Sequence, residues 1–279
     1  MSHAYPAPAK LNLFLHVVGR RADGYHLLQS VFRLIDHADT VHLTLRDDGR
    51  VVRDGDLPGV PEDADLSVRA ARLLLPFAPA GAGVGIRIDK VLPMGGGLGG
   101  GSSDAATVLL ALNRLWGINL PRAALQALAL QLGADVPVFV YGRTAFAEGV
   151  GEVLHDVSVP PAWYVVLMPP VQVPTGAVFA APELTRDTPA LKIARFSAGT
   201  GQRNDLEPVV VARFPDVARH LEWLARFGDA RMTGSGACVF AAFAAEDVAR
   251  EVLRQLPPTM QGFVAQGLDR HPLYDYCAE

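Results

Sequence analysis

The sequence predicts a mixed fold in which helices and strands are interleaved, of the α/β or α+β class. Apolar residues alternate with a period of two along residues 10–17, as in a strand, and an apolar run over residues 105–116 has the length of a buried helix. Both kinds of pattern recur beyond residue 160. The 279 residues, half of them hydrophobic, suffice for a large core and, at about 150 residues a domain, for roughly two domains or one large one.

The first predicted strand, residues 10–17, has one apolar face and one face that carries polar side chains. Lys10, Asn12 and His16 share the polar face, together with Phe14. Asp23-Gly24 then predicts a turn, and residues 46–65, rich in Asp, Gly and Pro, predict an exposed loop or hairpin. The other elements predicted before residue 160 are strands at 40–45, 84–88 and 138–141 and helices at 66–75, 105–116 and 121–133.

The Pro160-Pro161 pair is the best candidate for a domain boundary, which would divide the chain into residues 1–160 and 161–279. Strands are predicted beyond it at 163–168, 230–233, 237–243 and 262–268, and helices at 217–227 and 246–256.

Composition and charge exclude several classes of protein. With 25 Lys and Arg against 29 Asp and Glu, the net charge is −4, whereas general nucleic-acid binders carry a basic excess. Cys238 and Cys277 are far apart, and the eight histidines form no HExxH pattern, which argues against a zinc site or a disulfide framework. The uncharged residues 157–182 include six prolines, which would break a membrane-spanning helix. We expect a soluble, cytoplasmic protein that binds no membrane.

The glycine cluster at residues 95–101 is the most informative segment. Ser102-Ser103-Asp104 follows it and is typical of a helix N-cap, and Gly117 is a plausible stop for that helix. Glycines let backbone N–H groups approach an anion closely, and a helix N-terminus adds unpaired donors. The segment therefore predicts a polyphosphate site; the alternative is a merely flexible loop.

Three familiar phosphate sites do not fit this cluster. A Walker A loop needs a lysine, and none lies between Lys90 and Lys192. The dinucleotide pattern GxGxxG is present, but it requires an acidic residue about 20 positions later, and after Asp104 the next is Asp135. Neither HRD nor DFG, the signatures of protein kinases, occurs.

Residues 93–106 resemble the ATP-binding signature of the GHMP small-molecule kinases, the superfamily of galactokinase, homoserine kinase and mevalonate kinase. Residues 8–13, 21–26 and 232–239 narrow the likeness to members that phosphorylate a cytidine-diphosphate-linked methylerythritol in non-mevalonate isoprenoid synthesis. The likeness extends from about residue 6 to residue 268.

The resemblance implies an α+β, two-domain GHMP kinase fold. The N-terminal, ATP-binding domain would resemble domain 2 of ribosomal protein S5, the C-terminal domain would be ferredoxin-like, and the active site would lie between them. ATP would be the co-substrate, with Mg²⁺. The partner would be a small molecule rather than nucleic acid, and the protein a monomer or homodimer.

The resemblance also assigns residues. Lys10 and Asp135 take the positions of the catalytic pair. The cytosine would lie between Tyr25 and Phe179, and His26 would read its edge. Asn12 and Thr175 are further candidates for substrate contacts. The residues implied to bind ATP are Pro93, Met94, Gly95, Gly96, Gly97, Leu98, Gly99, Gly100, Gly101, Ser102 and Ser103.

The residue types of the catalytic pair suit phosphoryl transfer, which needs positioning, charge stabilisation and a carboxylate to accept the hydroxyl proton. Asp135 precedes Pro137 in a largely apolar segment, and Lys10 can keep it ionised. Asp135 is alternatively a helix-capping carboxylate, and Lys10 an exposed charge at a strand end. Tyr25 and Phe179 are alternatively packing residues.

Other segments leave their roles open. Gly234-Ser235-Gly236 is either a close backbone approach to the phosphates or substrate or a hairpin turn. Residues 204–207 recur in the family without a role that we can derive, and a helix start is the alternative. His16 is more readily explained as a packed or solvated residue than as a ligand. Arg20 and Arg21 suggest a solvated turn or a means of steering an anion.

Three other functions remain as alternatives. One is another GHMP kinase, acting on homoserine, mevalonate or a sugar. Another is a catalytically silent ATP-binding regulator, against which the presence of both Lys10 and Asp135 argues. An RNA-binding protein, inferred from the S5-like domain, is disfavoured by the acidic charge balance.

Overall fold

The computed structural model describes residues 2–193, 196 and 202–279. Its strands are β1 (Ser2–Arg20), β2 (His26–Arg46), β3 (Val51–Arg53), β4 (Gly83–Asp89), β5 (Ala145–Glu148), β6 (Val153–Asp156), β7 (Trp163–Leu167), β8 (Arg231–Met232), β9 (Val239–Phe243) and β10 (Gly262–Leu268). Its α-helices are α1 (Leu66–Leu74), α2 (Gly100–Leu115), α3 (Arg122–Leu130), α4 (Val136–Tyr141), α5 (Thr175–Phe179), α6 (Glu207–Arg213), α7 (Pro215–Leu224) and α8 (Glu246–Arg254).

One sheet runs through both halves of the chain, in the order β3-β4-β2-β10-β7-β9-β8, with β1 and β5 also paired to β2 and β6 paired to β5. The halves are joined where β10 pairs with β2, through Gly267 opposite Ile35 and Leu268 opposite Leu34. The Pro160-Pro161 pair lies in the connection between β6 and β7. A domain division at this pair stays a prediction.

Strands β1 and β2 form a long antiparallel hairpin, closed by the predicted turn at Asp23-Gly24. The alternation of residues 10–17 is confirmed as part of β1, but both faces of this segment are buried. The face that carries Lys10 and Asn12 is therefore enclosed by the protein. The register shifts between Asn12 and Leu15, a bulge that interrupts the regular pairing beside the polar side chains.

The buried helix α2 begins inside the glycine cluster, which corrects the predicted cap at residues 102–104. Gly99, with φ of 74°, takes the N-cap position, and Ser103 and Asp104 already lie in the helix. The left-handed conformation at Gly99 starts the helix earlier than a side-chain cap would. At the other end Gly117, with φ of 67°, follows the last turn, as predicted.

Residues 138–141 form the last part of helix α4 rather than the predicted strand. This apolar run is buried on nearly all sides, so its pattern does not distinguish a helix from a strand. Pro137 in the first turn favours the helix, and Gly142, with φ of 71°, ends it. The predicted loop at 46–65 also contains β3 and a short 3₁₀ helix, Glu62–Ala64.

The elements predicted beyond residue 160 are confirmed, with small changes at their ends. Strand β10 has the predicted bounds, and β7, β8, β9, α7 and α8 fall on the predicted segments. Helices α5 and α6 are additional. Within the described ranges, no helix is both long and apolar enough to cross a lipid bilayer.

Three groups of buried side chains hold these layers together. One packs α2 and its neighbours on the first half of the sheet, and a second packs α6, α7 and α8 on the other half. The third contains residues of both halves, among them Leu11, Val31, Val166 and Phe240. The polar face of β1, the start of α2 and the loop between β8 and β9 are thus fixed side by side.

Candidate active site

Two neighbouring cavities, of about 720 and 420 Å³, share part of their walls. The shared lining consists of Gly97, Ser102, Asp135, Thr175 and Ser235. The larger cavity contains the polar face of β1 and the aromatic residues after the β1–β2 turn. The smaller cavity contains the glycine cluster. The structure thus gives two compartments that meet at one carboxylate.

The structure brings Lys10 and Asp135 together at this meeting point. The Lys10 side chain is only 2% exposed, and its Nζ lies 3.5 Å from Oδ2 of Asp135. Lys10 is therefore not an exposed charge at a strand end. Asp135 precedes α4, but its side chain makes no capping hydrogen bond and is 42% exposed. Its carboxylate is available to a ligand in either cavity.

Asn12 fixes the Lys10 side chain from the next position on the same face of β1. Its Oδ1 accepts a hydrogen bond from Lys10 Nζ, and its Nδ2 donates to Ser30 Oγ at 2.8 Å. Ser30 in turn donates to the carbonyl of Phe14 at 2.6 Å. The backbone N–H of Asn12 donates to Thr233 Oγ1 at 2.9 Å. The ammonium group is thus held by a buried network that crosses between the two halves.

The glycine cluster needs its glycines because another loop packs directly on it. A Cβ on Gly97, which has φ of 76°, would lie 2.3 Å from the carbonyl oxygen of Thr233. A Cβ on Gly101 would meet nothing within 4 Å. The cluster therefore has one side closed by the protein and one side open to the smaller cavity, where the first N–H groups of α2 lack helical partners.

Most of the residues predicted to bind ATP line the smaller cavity, and two do not. The lining contains Pro93 to Gly97 and Gly99 to Ser102. Leu98 is buried in the core instead. Ser103 is also buried: its hydroxyl donates to the carbonyl of Pro8 at 2.6 Å, and its N–H closes the first turn of α2.

A buried charge cluster beside the glycines escaped the sequence analysis. Lys90 donates hydrogen bonds to both Asp39 and Asp104, the latter at 2.8 Å. Asp39 also accepts from the backbone N–H groups of Val91 and Leu92. Burial raises the pKa of Asp104 to about 7, against the opposing effect of Lys90. Lys90, one of only three lysines and just before the cluster, was the available signal.

Tyr25, His26, Thr175 and Phe179 all line the larger cavity, and their roles in binding the substrate stay predictions. Tyr25 is 65% exposed, so it is not a packing residue. The rings of His26 and Phe179 lie 5.0 Å apart between centroids. Burial, and then the charges of Arg186 and Arg20, lower the pKa of His26. This cavity therefore offers aromatic faces beside a neutral imidazole.

Arg186 stands behind this aromatic group and was also missed. Its Nε donates to Nε2 of His26 at 3.1 Å, and its Nη2 donates to the carbonyl of Phe179 at 2.9 Å. Further bonds reach the carbonyls of Leu184 and Ala181. No sequence pattern marks this arginine, because its contacts depend on the long-range approach of the segment after α5 to the start of β2.

The loop between β8 and β9 approaches the glycine cluster, and residues 204–207 hold it there. Asn204 Nδ2 donates to the carbonyls of Met232 and Gly234, each at 2.8 Å, and Glu207 accepts from the N–H of Met232. Ser235 in this loop shares a 2.7 Å hydrogen bond with Thr175. Residues 234–236 thus form the turn between the antiparallel strands β8 and β9 and pack on the glycine cluster, whereas their approach to phosphates or substrate stays a prediction. The segment with no derived role supports this turn.

The remaining candidates make contacts within the protein, and Arg20 also lines the larger cavity. His16 is buried with its ring against Phe14. Arg20 donates to the carbonyl of Gly24, and Arg21 pairs with Asp23 at 2.8 Å in the exposed turn.

Comparison with known proteins gives the class of the chain. Residues 65–143 match the family model described as "GHMP kinases N terminal domain", and residues 184–260 match "GHMP kinases C terminal". The chain belongs to the GHMP kinase family, and it is an ATP-dependent small-molecule kinase. The predicted α+β GHMP kinase fold is confirmed. A homoserine kinase structure from Cytophaga hutchinsonii, 18% identical with a TM-score of 0.69 over 97% of this chain and 95% of its own, shares the fold.

Similarity within the family is more specific. The chain is 78% identical to a 4-diphosphocytidyl-2-C-methyl-D-erythritol kinase of Thiobacillus denitrificans over all of both chains. It is 61% identical to the kinase of the same name from Nitrosospira multiformis, over 98% of this chain and 94% of that one. A crystal structure of 4-(cytidine 5'-diphospho)-2C-methyl-D-erythritol kinase matches with a TM-score of 0.82 and 36% identity, over 96% of this chain and 99% of that one.

Proposed function

We propose that this protein transfers the γ-phosphoryl group of ATP to the 2-hydroxyl of 4-diphosphocytidyl-2-C-methyl-D-erythritol, in the cytoplasm, as a step of non-mevalonate isoprenoid synthesis. The observation that carries the proposal is the meeting of two cavities at Asp135 and Lys10. One cavity has a cradle for phosphates and the other has aromatic faces for a base. The substrates of the relatives contain those two groups.

The smaller cavity suits the nucleotide. The N-terminus of α2 and the open side of Gly101 provide backbone donors and space for the triphosphate. Leu57, Val60 and Leu66 line the same cavity and offer an apolar wall to the adenine ring. Phosphates at the helix would place the γ-phosphoryl group toward Ser102 and Asp135, where the larger cavity begins.

The larger cavity suits the acceptor. Tyr25 and Phe179 would hold the cytosine between their rings, because aromatic side chains stack on the faces of bases. His26 would bond to its edge, with Thr175 beside the diphosphate. The methylerythritol unit would then extend to Asn12, Lys10 and Asp135.

In the reaction, Asp135 accepts the proton of the 2-hydroxyl as its oxygen attacks the γ-phosphorus, and the bond from that phosphorus to the β–γ bridging oxygen breaks to release ADP. Lys10, whose Nζ lies 3.5 Å from Oδ2 of Asp135, offsets negative charge on the transferred group. Asn12 holds the ammonium in position, so little reorganisation is needed during the step.

Mg²⁺ fits this site as an ion carried mainly by phosphate oxygens. Among the described residues no three His, Cys, Asp or Glu side chains converge as metal ligands. Mg²⁺ keeps several waters and needs only one or two carboxylates. The Ser102 hydroxyl, on the shared wall, is the protein group that would hold it, and waters would complete its shell. The ion would neutralise charge on the β- and γ-phosphates.

A coupled ADP-release assay tests the proposed function. With ATP and Mg²⁺, we expect turnover with 4-diphosphocytidyl-2-C-methyl-D-erythritol, and none with homoserine, mevalonate or galactose at the same concentration. Phosphorus NMR of the product should show a new phosphomonoester. ADP release with one of the other alcohols and none with the cytidine-linked acceptor would contradict the proposal in favour of another GHMP kinase.

A further inference from the structure

His26 lines the base cavity, and one of its two ring nitrogens, Nε2, accepts a hydrogen bond from Arg186. A neutral imidazole has one N–H donor and one bare acceptor nitrogen, and the hydrogen bond made by one nitrogen decides the state of the other. Arg186 cannot lose a proton, so its Nε–H must donate to Nε2 of His26. Nε2 is therefore the bare nitrogen, and the proton must be on Nδ1.

We infer that Arg186 is a specificity-determining residue: it fixes His26 as the Nδ1–H tautomer, so that the cavity accepts a cytosine and rejects a uracil. This inference rests on the proposed function and deepens it. Cytosine has a bare N3 that accepts a hydrogen bond, whereas uracil has an N3–H. A fixed donor on His26 pairs with the first and opposes the second.

Arg186 is well placed to hold this arrangement. It does not line the cavity, so it acts on the base only through its neighbours. Besides His26, its guanidinium donates to the carbonyls of Phe179, Ala181 and Leu184. The planar fork thus connects the His26 edge and the Phe179 face of the cavity in one rigid unit.

The charges around His26 favour its neutral form. Burial has the largest effect on its pKa and lowers it, and the cations Arg186 and Arg20 lower it further. A protonated ring would have no acceptor for Arg186 and would place two donors against each other. The neutral state that the hydrogen bond requires is therefore the state that the surroundings stabilise.

The substitution Arg186→Lys tests this role. Lysine keeps the positive charge but lacks the planar fork, so the bond to His26 is lost and the other tautomer becomes accessible. For the cytidine-linked acceptor we expect KM to rise about tenfold with kcat within about twofold, and the preference for cytidine over uridine to fall about tenfold. Arg213→Lys is the matched control, because Arg213 donates to Ala177 of α5 and pairs with Glu183 without touching His26.

Nitrogen-15 NMR of the wild-type enzyme gives a readout that a merely structural role would not move. We expect the His26 signals of an Nδ1–H tautomer in the wild type and in Arg213→Lys, and a shift toward the Nε2–H form in Arg186→Lys. An Nε2–H tautomer in the wild type would overturn the inference without any variant. An unchanged base preference in a folded Arg186→Lys enzyme would overturn it too. If the proposed function is wrong, the wild type will instead turn over neither nucleotide-linked acceptor.

Discussion

At the scale of single residues, the chemistry depends on how Asp135 and Lys10 share their surroundings. Lys10 is enclosed and held by Asn12, whereas Asp135 faces both cavities. A buried ammonium beside a partly exposed carboxylate can serve a reaction in which the carboxylate gains a proton, because the carboxylate retains access to substrate. Their roles are therefore separable by substitution.

Asp135→Asn keeps the size of the side chain and removes the proton acceptor. We expect kcat to fall by about 10²–10⁴, the usual contribution of a general base, while titration calorimetry finds ATP affinity close to the wild type. Asp156→Asn, at an exposed position outside both cavities, is the control and should keep full activity. Full turnover by Asp135→Asn would remove Asp135 from the mechanism.

At the scale of elements, the glycine cluster meets two requirements, and a different glycine meets each of them. Gly97 allows the loop between β8 and β9 to pack closely, whereas Gly101 leaves space above the first turn of α2. One residue type thus serves packing at one position and ligand access at another.

Alanine substitutions should distinguish the two roles. In Gly97→Ala, the methyl group would collide with the Thr233 carbonyl in a left-handed backbone conformation, so we expect a loss of about 1–3 kcal/mol in the free energy of unfolding. Gly101→Ala should leave stability unchanged or raise it by up to about 1 kcal/mol, since alanine favours helix. It should nevertheless raise KM for ATP.

Urea unfolding measures the stability of each variant, and initial rates at increasing ATP concentration measure its KM for ATP. An unchanged KM for ATP in Gly101→Ala would show that phosphates do not lie over this turn.

The elements also show which features local sequence can predict. The alternation in β1, the run in α2 and the stop at Gly117 depend on neighbours in sequence, and these predictions are confirmed. The strand predicted at 138–141 is wrong because a run buried on nearly all sides loses its periodicity.

The residues of the candidate site also form two groups, one that local sequence predicts and one that it does not. Most residues in recognisable motifs line the cavities, apart from Leu98 and Ser103, although their roles stay predictions. Lys90 bound to Asp39, and Arg186 bound to His26, join residues 51 and 160 positions apart. Such contacts depend on how distant segments meet, and local periodicity carries no information about them.

At the scale of the whole molecule, the C-terminal segment closes the first half of the fold. The Arg122 guanidinium donates a hydrogen bond to the backbone carbonyl of Tyr274, and the backbone N–H of Arg122 donates to the carbonyl of Ala278. His271 is buried here, and its Nδ1 accepts from the N–H of Leu273 at 3.0 Å. Burial, with a further effect of Arg122, lowers the pKa of His271 to about 3.

This buried histidine predicts a pH-dependent stability. Because the folded pKa lies below the usual 6.5, the unfolded chain binds a proton first as the pH falls. Above pH 6.5 the neutral His271 contributes fully to the free energy of unfolding. Between about pH 6.5 and 3 this contribution is lost, by about 1.4 kcal/mol per pH unit. His271→Gln, which does not titrate, should show a shallower fall in urea unfolding between pH 7 and 4.

If the free energy of unfolding fell equally steeply with pH in His271→Gln and in the wild type, His271 would not be a source of the pH dependence.

The common wall of the two cavities has a consequence for ligand design. A compound that joined an adenosine end to a cytidine end through a chain of phosphates would reach both compartments across Asp135. Its second end would bind at a high effective concentration once the first had bound, so its affinity should far exceed that of either half. Such a compound would also be selective, because a protein with only one of the compartments would hold only half of it.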